Sequence, residues 1–282
     1  MLSRNTINGT TIPTATPLPS DSVAIYAINS ANPDIQKNTI NGGYATNTAT
    51  GIYLTNASAN IEKNDISGGN ATTVYGVMNS NSSMDVFTNV LVNYEALQAS
   101  YGISNSAGTA NRIYNNIIDS GPLSNNPTGI YIQGSTSLDI KNNIITNGVC
   151  IHEADIDSDP LMVENNDLFN CQIAYDDADA GCTQDSDGDG IFSSCTVDDL
   201  NLLTDITAAK NLSDDPLFID PKNRDYHFTQ TGPQTSPLSV IEGALDLTAF
   251  CPCDKDENTR TVPWSIGAYE MDSLVVILGN PR

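Results

Sequence analysis

The sequence predicts an all-β fold in which the chain winds into a solenoid of short, stacked coils. Charged residues make up 16% of the 282 residues and aromatic residues 6%, so uncharged polar residues supply most of the polarity, which is atypical of a helical bundle. A six-residue pattern returns about every 26 residues, and a second apolar series runs in phase with it. Repeats of this length are typical of solenoids, in which each repeat is stabilised by its neighbours.

The first pattern consists of an aliphatic residue, two variable residues, Asn, one variable residue and a second aliphatic residue. Its Asn positions are separated by 33, 26, 25, 27, 27 and 23 residues. A β-sandwich with regular turns is the alternative, but it would not impose this fixed Asn offset. The seven copies are Leu2/Asn5/Ile7, Ile35/Asn38/Ile40, Ile61/Asn64/Ile66, Val86/Asn89/Leu91, Ile113/Asn116/Ile118, Ile140/Asn143/Ile145 and Val163/Asn166/Leu168.

The second series places an aliphatic residue after a small one once per repeat, so two short strands per repeat are expected. In stacked coils, each aliphatic side chain lies above its equivalent at a strand spacing of about 4.8 Å and forms an inward ladder. The copies are Ala24-Ile25-Tyr26, Gly51-Ile52-Tyr53, Gly76-Val77-Met78, Gly102-Ile103-Ser104 and Gly129-Ile130-Tyr131.

The recurring Asn lies between two inward aliphatic residues, where the chain has to bend. Asn tolerates the left-handed conformation, and its side-chain amide can hydrogen-bond to the amide of the next coil. We therefore expect a stacked interior ladder formed by Asn38, Asn64, Asn89, Asn116, Asn143 and Asn166.

At these residues, over about Leu2–Tyr175, the sequence resembles the right-handed parallel β-helix proteins, the architecture of pectate lyases and many bacterial surface proteins. From Leu212 onwards, the chain resembles the closing segment of bacterial β-helix proteins, with Ser265 where that pattern has Asp. The resemblance implies a parallel β-helix over 1–175 and closing coils or a cap over 211–282, and the residues between them predict an acidic insertion with a short helix over 176–210. The segments that carry the second resemblance are Asp215-Pro-Leu-Phe-Ile-Asp220-Pro, Asp225-Tyr-His-Phe, Ser236-Pro-Leu and Ile266-Gly-Ala-Tyr-Glu270.

The charge balance is strongly acidic, with 11 Lys and Arg against 34 Asp and Glu and a net charge of −23. Such a surface repels nucleic acid and anionic lipid, and no stretch reaches the roughly 18 apolar residues of a membrane span. We expect a secreted or cell-surface protein, although no signal peptide is present in this chain.

A calcium site is predicted in the acidic insertion, because Asp185, Asp187 and Asp189 precede Gly190 at the spacing of a calcium loop. The expected ligands are these three carboxylates, a carbonyl near Ile191, and Asp198 or Asp199 in place of the missing closing Glu. A solvated acidic loop without a metal is the alternative.

A second acidic cluster alternates at the strand period, and stacking is expected to place its members on a common outward face. Such a face could hold a second metal or form a sugar-binding groove, and solvated, splayed side chains are the alternative. The residues are Glu153, Asp155, Asp157 and Asp159, followed about one coil later by Asp176, Asp177 and Asp179.

The even number of cysteines favours disulfides. Cys150 and Cys171 are about one coil apart, and Cys182 and Cys195 bracket the acidic loop. A bond between Cys251 and Cys253 would be strained because only Pro252 separates them. Buried free thiols are the alternative for all six, and a zinc site is not expected.

Functionally, we expect an extracellular structural, adhesive or glycan-binding module stabilised by Ca²⁺. A polysaccharide lyase or glycoside hydrolase acting near 151–199 is the alternative, although no Lys or Arg occurs between Asn142 and Ala209. No catalytic residue is assigned; His152 is the best acid/base candidate, and Tyr26, Tyr53 and Tyr131 form an outward series able to stack on sugars. The expected partner is a glycan, or another subunit or upstream coils at the N-terminal end.

Overall fold

The computed structural model describes residues 1–11, 17–92, 96–108, 111–121, 127–134, 137–178, 182, 193–229 and 236–271. Within them, the helices are α1 (Val197–Leu200) and α2 (Leu238–Ile241), with a 3-10 turn at Pro221–Asn223. The strands are β1 (Leu2–Ser3), β2 (Thr6–Thr10), β3 (Asp21–Ile28), β4 (Asp34–Gln36), β5 (Thr39–Gly43), β6 (Thr48–Thr55), β7 (Ser58–Glu62), β8 (Asp65–Ser67), β9 (Ala71–Ser80), β10 (Ser83–Phe87), β11 (Val90–Val92), β12 (Ala96–Ser106), β13 (Asn111–Tyr114), β14 (Ile117–Asp119), β15 (Pro127–Gln133), β16 (Leu138–Lys141), β17 (Ile144–Thr146), β18 (Val149–Glu153), β19 (Met162–Glu164), β20 (Asp167–Phe169), β21 (Ile173–Asp176), β22 (Ser194–Cys195), β23 (Thr207–Ala209), β24 (Phe218–Asp220) and β25 (Asp225–Phe228).

The described strands from β1 to β23 form three sheets that wrap around one core. Sheet A contains β1, β4, β7, β10, β13, β16, β19 and β23; sheet B contains β2, β5, β8, β11, β14, β17 and β20; sheet C contains β3, β6, β9, β12, β15, β18, β21 and β22. Pairing is parallel throughout, except that β22 runs antiparallel to β21. The predicted right-handed parallel β-helix is therefore confirmed, with about six turns. Each coil has three strands rather than the two expected, because the bend at Asn divides the first pattern between sheets A and B.

The aliphatic ladders explain why these short strands are stable. The first aliphatic residue of the pattern faces inward from sheet A, the second from sheet B, and the Gly-Ile series from sheet C. Ile61, Ile118 and Ile130 represent these three ladders and are each fully buried. Full burial of such a side chain contributes about 1.5–3 kcal/mol. The glycine of the third ladder keeps sheet C close to sheet B, because a Cβ at Gly102 would collide with Cγ2 of Ile118.

The recurring asparagines lie one above another at the bend between sheets A and B. The backbone N–H of each donates to Oδ1 of the Asn in the next coil, over 2.8–3.1 Å from Asn38 to Asn166. Each Nδ2 also donates to a carbonyl of the preceding coil, at 2.7–3.0 Å. The left-handed residue is not the ladder Asn but the residue before it, as at Lys63 (φ 57°) and Asn115 (φ 54°). The stack continues through Asn211 to Asn201, beyond the predicted repeats.

The solenoid also continues beyond residue 175, where the sequence pattern loses its phase. After β22 and α1, strand β23 pairs with β19 and extends sheet A. Leu212 then forms a parallel bridge with Asp167 of sheet B. The acidic insertion is therefore an excursion from a coil that later resumes.

The remaining described residues, 213–229 and 236–271, form what we call the C-terminal strap. Instead of adding closing coils, the strap folds back over the outer face of sheet B, where Tyr226 and Ile266 pack with Ile117 and Ile144. It reaches the second and third coils, where Lys255 Nζ lies 2.9 Å from Asp65 Oδ2. None of the described helices is long and apolar enough to cross a membrane.

Candidate functional site

The outer face of sheet C carries stacked rings, which we call the tyrosine face. Inward-facing aliphatic residues leave alternate positions of these strands pointing outward. The ring centroids of Tyr26 and Tyr53 are 4.9 Å apart, those of Tyr75 and Tyr101 are 4.9 Å apart, and Tyr101 meets Tyr131 edge-on at 5.4 Å. The series ends where the His152 ring stacks on Tyr131 at 5.3 Å. Tyr75 and Tyr101 were not predicted from the sequence, because they precede the glycine of the repeat instead of following its aliphatic residue.

His152 is held in one orientation at the end of this face. Its register partner in β15 is Tyr131, and its partner in β21 is Asp176. The Nδ1 atom lies 2.5 Å from Asp176 Oδ2, and the side chain is 32% exposed. No described residue hydrogen-bonds to Nε2 of His152, so this nitrogen is available as a ligand atom.

His227 lies in the C-terminal strap and differs from His152 in having both ring nitrogens engaged. Nδ1 is 2.6 Å from Asp225 Oδ1, and Nε2 is 2.8 Å from Asp256 Oδ2. Partial burial lowers the pKa of His227, but hydrogen bonds to Asp256 and Asp225 outweigh burial and raise it overall. His227 therefore links parts of the strap and has no free donor nitrogen.

The second acidic cluster is not on one outward face, contrary to expectation. Strand β18 ends at Glu153, which faces inward in register with Ile132 and accepts hydrogen bonds from Tyr175 Oη and Ala178 N. Burial raises the pKa of Glu153 to about 8. Its interior position separates this carboxyl from any substrate on the outer surface.

The other members of the cluster have separate environments because the chain turns after β18. Asp155 accepts a 2.7 Å hydrogen bond from Ser158 Oγ, while Asp157 is exposed. Asp176 pairs with His152, and Asp177 is buried next to Cys182. Asp179 lies outside the described residues.

The proposed calcium ligands Asp185, Asp187, Asp189 and Ile191 also lie outside the described residues. Asp199 has a structural role that the sequence analysis missed: its carboxylate accepts hydrogen bonds from Thr196 N at 3.0 Å and Thr196 Oγ1 at 2.8 Å. Thr196 Oγ1 in turn accepts from Asp199 N, which completes a capping box for α1. Asp198 is exposed in the first turn of that helix.

Two of the expected disulfides are confirmed, Cys150–Cys171 and Cys182–Cys195. Cys251 and Cys253 are free thiols, so their place among the disulfide candidates is corrected. A disulfide between two cysteines separated by a single residue would be strained. Burial raises the pKa of the Cys251 thiol to about 11, so this thiol is neutral and unreactive.

A group of three metal-ligating side chains forms around the second disulfide. One carboxylate oxygen of Asp177 and the Sγ atoms of Cys182 and Cys195 all lie within 4.8 Å of one another, and all three residues are buried. In the structure described, both sulfurs belong to the disulfide and are therefore not ligands.

Comparison with known proteins gives one family. Residues 2–188, more than half of the chain, match the family described as "Periplasmic copper-binding protein (NosD)". No curated protein and no solved structure gives a significant match. Because this description names copper, the prediction of Ca²⁺ as the bound metal is wrong. The chain belongs to the NosD family of periplasmic copper-binding proteins, whose members are right-handed parallel β-helix proteins.

Proposed function

We propose that this protein works in the periplasm or another exported compartment as a β-helix protein that binds copper through His152. The observation that carries the proposal is the pairing of His152 Nδ1 with Asp176, which leaves Nε2 of this partly exposed ring without a hydrogen-bond partner among the described residues. A carboxylate on one imidazole nitrogen fixes the tautomer and makes the other nitrogen a better metal ligand. The family description and the two disulfides, which persist in oxidising compartments, support the location.

The donors around His152 suit copper(II), which takes imidazole and oxygen ligands. Burial and then Tyr101 raise the pKa of Tyr131, the ring on which His152 stacks. The charge of Asp155 raises this pKa further, so Asp155 lies in the same neighbourhood. The absence of Lys and Arg between Asn142 and Ala209 leaves the surrounding charge favourable to a cation. His152 would hold the metal, with Asp155 as a candidate second ligand and water completing the coordination.

A copper(II) titration followed by calorimetry and electron paramagnetic resonance tests this proposal. The wild type should bind one equivalent with a nitrogen ligand in the spectrum. His152→Ala should abolish that binding, and Asp176→Asn should weaken it roughly tenfold, in line with losses of a partner that orients a ligand. His227→Ala is the matched control and should bind as the wild type does. The assignment would be refuted if His152→Ala bound copper(II) as the wild type does, or if His227→Ala were the only variant to lose binding.

A second candidate function is favoured by the tyrosine face. We propose that it binds a neutral glycan at the cell surface, since exposed aromatic rings present flat apolar area with a polar edge. The net charge of −23 disfavours uronate polymers. Tyr131→Ala should reduce retention on a neutral polysaccharide column, whereas Tyr44→Ala, outside the stacked series, should not. Equal retention of both variants and the wild type would contradict this function.

A further inference from the structure

We propose that the Cys182–Cys195 disulfide is a redox-gated metal site. Reduction by a dithiol would release two thiolates that bind copper(I) together with the carboxylate of Asp177. This inference rests on the proposed function only for the identity of the metal, and it uses residues separate from His152.

The three donor residues, Asp177, Cys182 and Cys195, already lie together in the folded protein. The Asp177 carboxylate and the two Sγ atoms lie within 4.8 Å of one another, and Asp177 Oδ2 is 3.9 Å from Cys182 Sγ. Asp177 is 1% exposed and Cys195 is 2% exposed. Soft thiolate ligands select copper(I), and burial excludes competing water.

The backbone holds most of this arrangement without the disulfide. Strands β21 and β22 pair in antiparallel fashion, with Tyr175 opposite Cys195 and Asp176 opposite Ser194. The Asp177 N–H donates to Ser193 O at 2.7 Å. Asp177 and Cys195 should therefore stay adjacent after the sulfur–sulfur bond is broken.

A cavity beside the disulfide and a nearby carboxylate both favour the entry of a metal ion. A cavity of about 520 Å³ lies beside the last coil, and Cys195, Ser194 and Thr196 are among the residues that line it. Because Cys195 lines this cavity, it is the side from which a small dithiol and a metal ion would approach the disulfide. The exposed Asp198 also lines this cavity, so a cation entering it meets a carboxylate.

The chemistry balances with a dithiol as the reductant. Its two thiols supply two electrons and two protons, the sulfur–sulfur bond between Cys182 and Cys195 breaks, and the reductant becomes a disulfide. Copper(I) then replaces the two thiol protons, which pass to solvent. Because the ion binds only the reduced form, it favours reduction of this disulfide by mass action.

The other disulfide provides an internal control. Cys150–Cys171 joins neighbouring coils, and the described residues place no group of three metal ligands around it. If copper(I) affinity arose merely from free thiols, both pairs would respond alike. If it depends on the carboxylate and the burial, only Cys182 and Cys195 should respond.

The test uses the wild-type chain, fully reduced, freed of reductant and kept anaerobic. Thiols are alkylated with and without one equivalent of copper(I), and the modification of each cysteine is measured by mass spectrometry. We expect copper(I) to slow alkylation of Cys182 and Cys195 at least tenfold and to leave Cys150 and Cys171 unchanged. Equal protection of both pairs, or protection of neither, would overturn the proposal.

Variants separate this site from the one at His152. In competition with a chromophoric copper(I) chelator, Cys182→Ser/Cys195→Ser should lose the bound equivalent, and Cys150→Ser/Cys171→Ser should retain it. Asp177→Asn should bind at least tenfold more weakly, whereas His152→Ala should match the wild type. Retention of copper(I) by Cys182→Ser/Cys195→Ser would refute the redox-gated site without affecting the copper(II) assignment.

Discussion

The outer faces of sheets B and C differ, although both sheets cover the same core. The outer face of sheet B is aliphatic, with Val92, Ile117 and Ile144 packed under the C-terminal strap. The outer face of sheet C carries tyrosines and His152, and Tyr26 there is 57% exposed. An apolar face is covered by the chain itself, whereas a face of amphipathic rings can remain in water and bind ligands. The outer face of sheet B therefore contributes to stability, and the outer face of sheet C is where we propose that ligands bind.

Removing the buried ion pair within the strap should have the largest effect. Arg260 is buried, and its guanidinium donates to Glu270 Oε2 at 3.0 Å and to Gly267 O at 2.7 Å. Arg260→Ala would leave the Glu270 carboxylate buried without its partner, so we expect a loss of about 3–5 kcal/mol. Urea unfolding measures this loss. Lys222→Ala, at an exposed position of the strap, is the control, and equal stability of the two variants would contradict a stabilising role of the Arg260–Glu270 pair.

Removing apolar atoms from the contact between the strap and sheet B should lower the free energy of unfolding somewhat less. Ile144 is fully buried in the cluster that joins them. Ile144→Ala is expected to lower the free energy of unfolding by about 2–4 kcal/mol, because the lost methylene groups leave a cavity. A loss below about 1 kcal/mol in thermal or chemical unfolding would mean that the strap does not pack there.

The asparagine ladder supports both sheets, and its interruption ranks third. Asn116 Nδ2 donates to Val86 O at 2.8 Å and to Asn143 Oδ1 at 3.0 Å, while its Oδ1 accepts from Asn89 N at 2.9 Å. Asn116→Leu would leave these buried groups unsatisfied and cost about 1–3 kcal/mol. Calorimetric unfolding checks this value. No loss of stability would show that the ladder is not an energetic element of the coils.

A pH-dependent contribution to stability is expected from Asp167 in sheet B. Asp167 is fully buried, and burial raises its pKa from 3.8 to about 8. A raised pKa means that the folded state binds the proton more tightly, so this stabilisation is present at low pH and is lost as the pH rises towards about 8. Asp167→Asn should therefore gain stability relative to the wild type between pH 5 and about 8. Parallel pH–stability curves for the two proteins would contradict the shift.

The smallest effect is expected on the tyrosine face. Tyr53 stacks on Tyr26 but is partly open to solvent. Tyr53→Ala should lower stability by only about 0.2–1 kcal/mol, the usual range for a cross-strand pair. A loss as large as that of Ile144→Ala would remove the distinction between the two faces.

The sequence predicts the coils well because their cause is local and repeated. The aliphatic positions and Asn recur at a fixed offset, so each copy supports the same interpretation. The third strand of each coil is harder to predict from the sequence, because the bend at Asn divides one six-residue pattern between two short strands. The paired aliphatics Ile117-Ile118 and Ile144-Ile145 are a usable signal that both faces of sheet B are buried.

The strap and the candidate site are harder to predict from sequence. Lys255 and Asp65 form an ion pair across 190 residues, and no repeat indicates such a contact. The alternation of Glu153 with Asp155 predicted a common face, but the strand ends at Glu153 and the next residues turn away. The metal was wrongly predicted because closely spaced aspartates indicate a hard cation, whereas the family description names copper, for which a lone histidine gives little sequence signal.

The most direct test of the functional assignment is a crystal structure of the copper(II)-loaded protein with anomalous diffraction measured at the copper edge. We predict an anomalous peak within bonding distance of His152 Nε2, on the outer face of sheet C, with Asp176 still paired to Nδ1. A peak at His227 in the C-terminal strap, or no ordered copper near His152 in a loaded crystal, would contradict the proposal that copper binds on the outer face of sheet C.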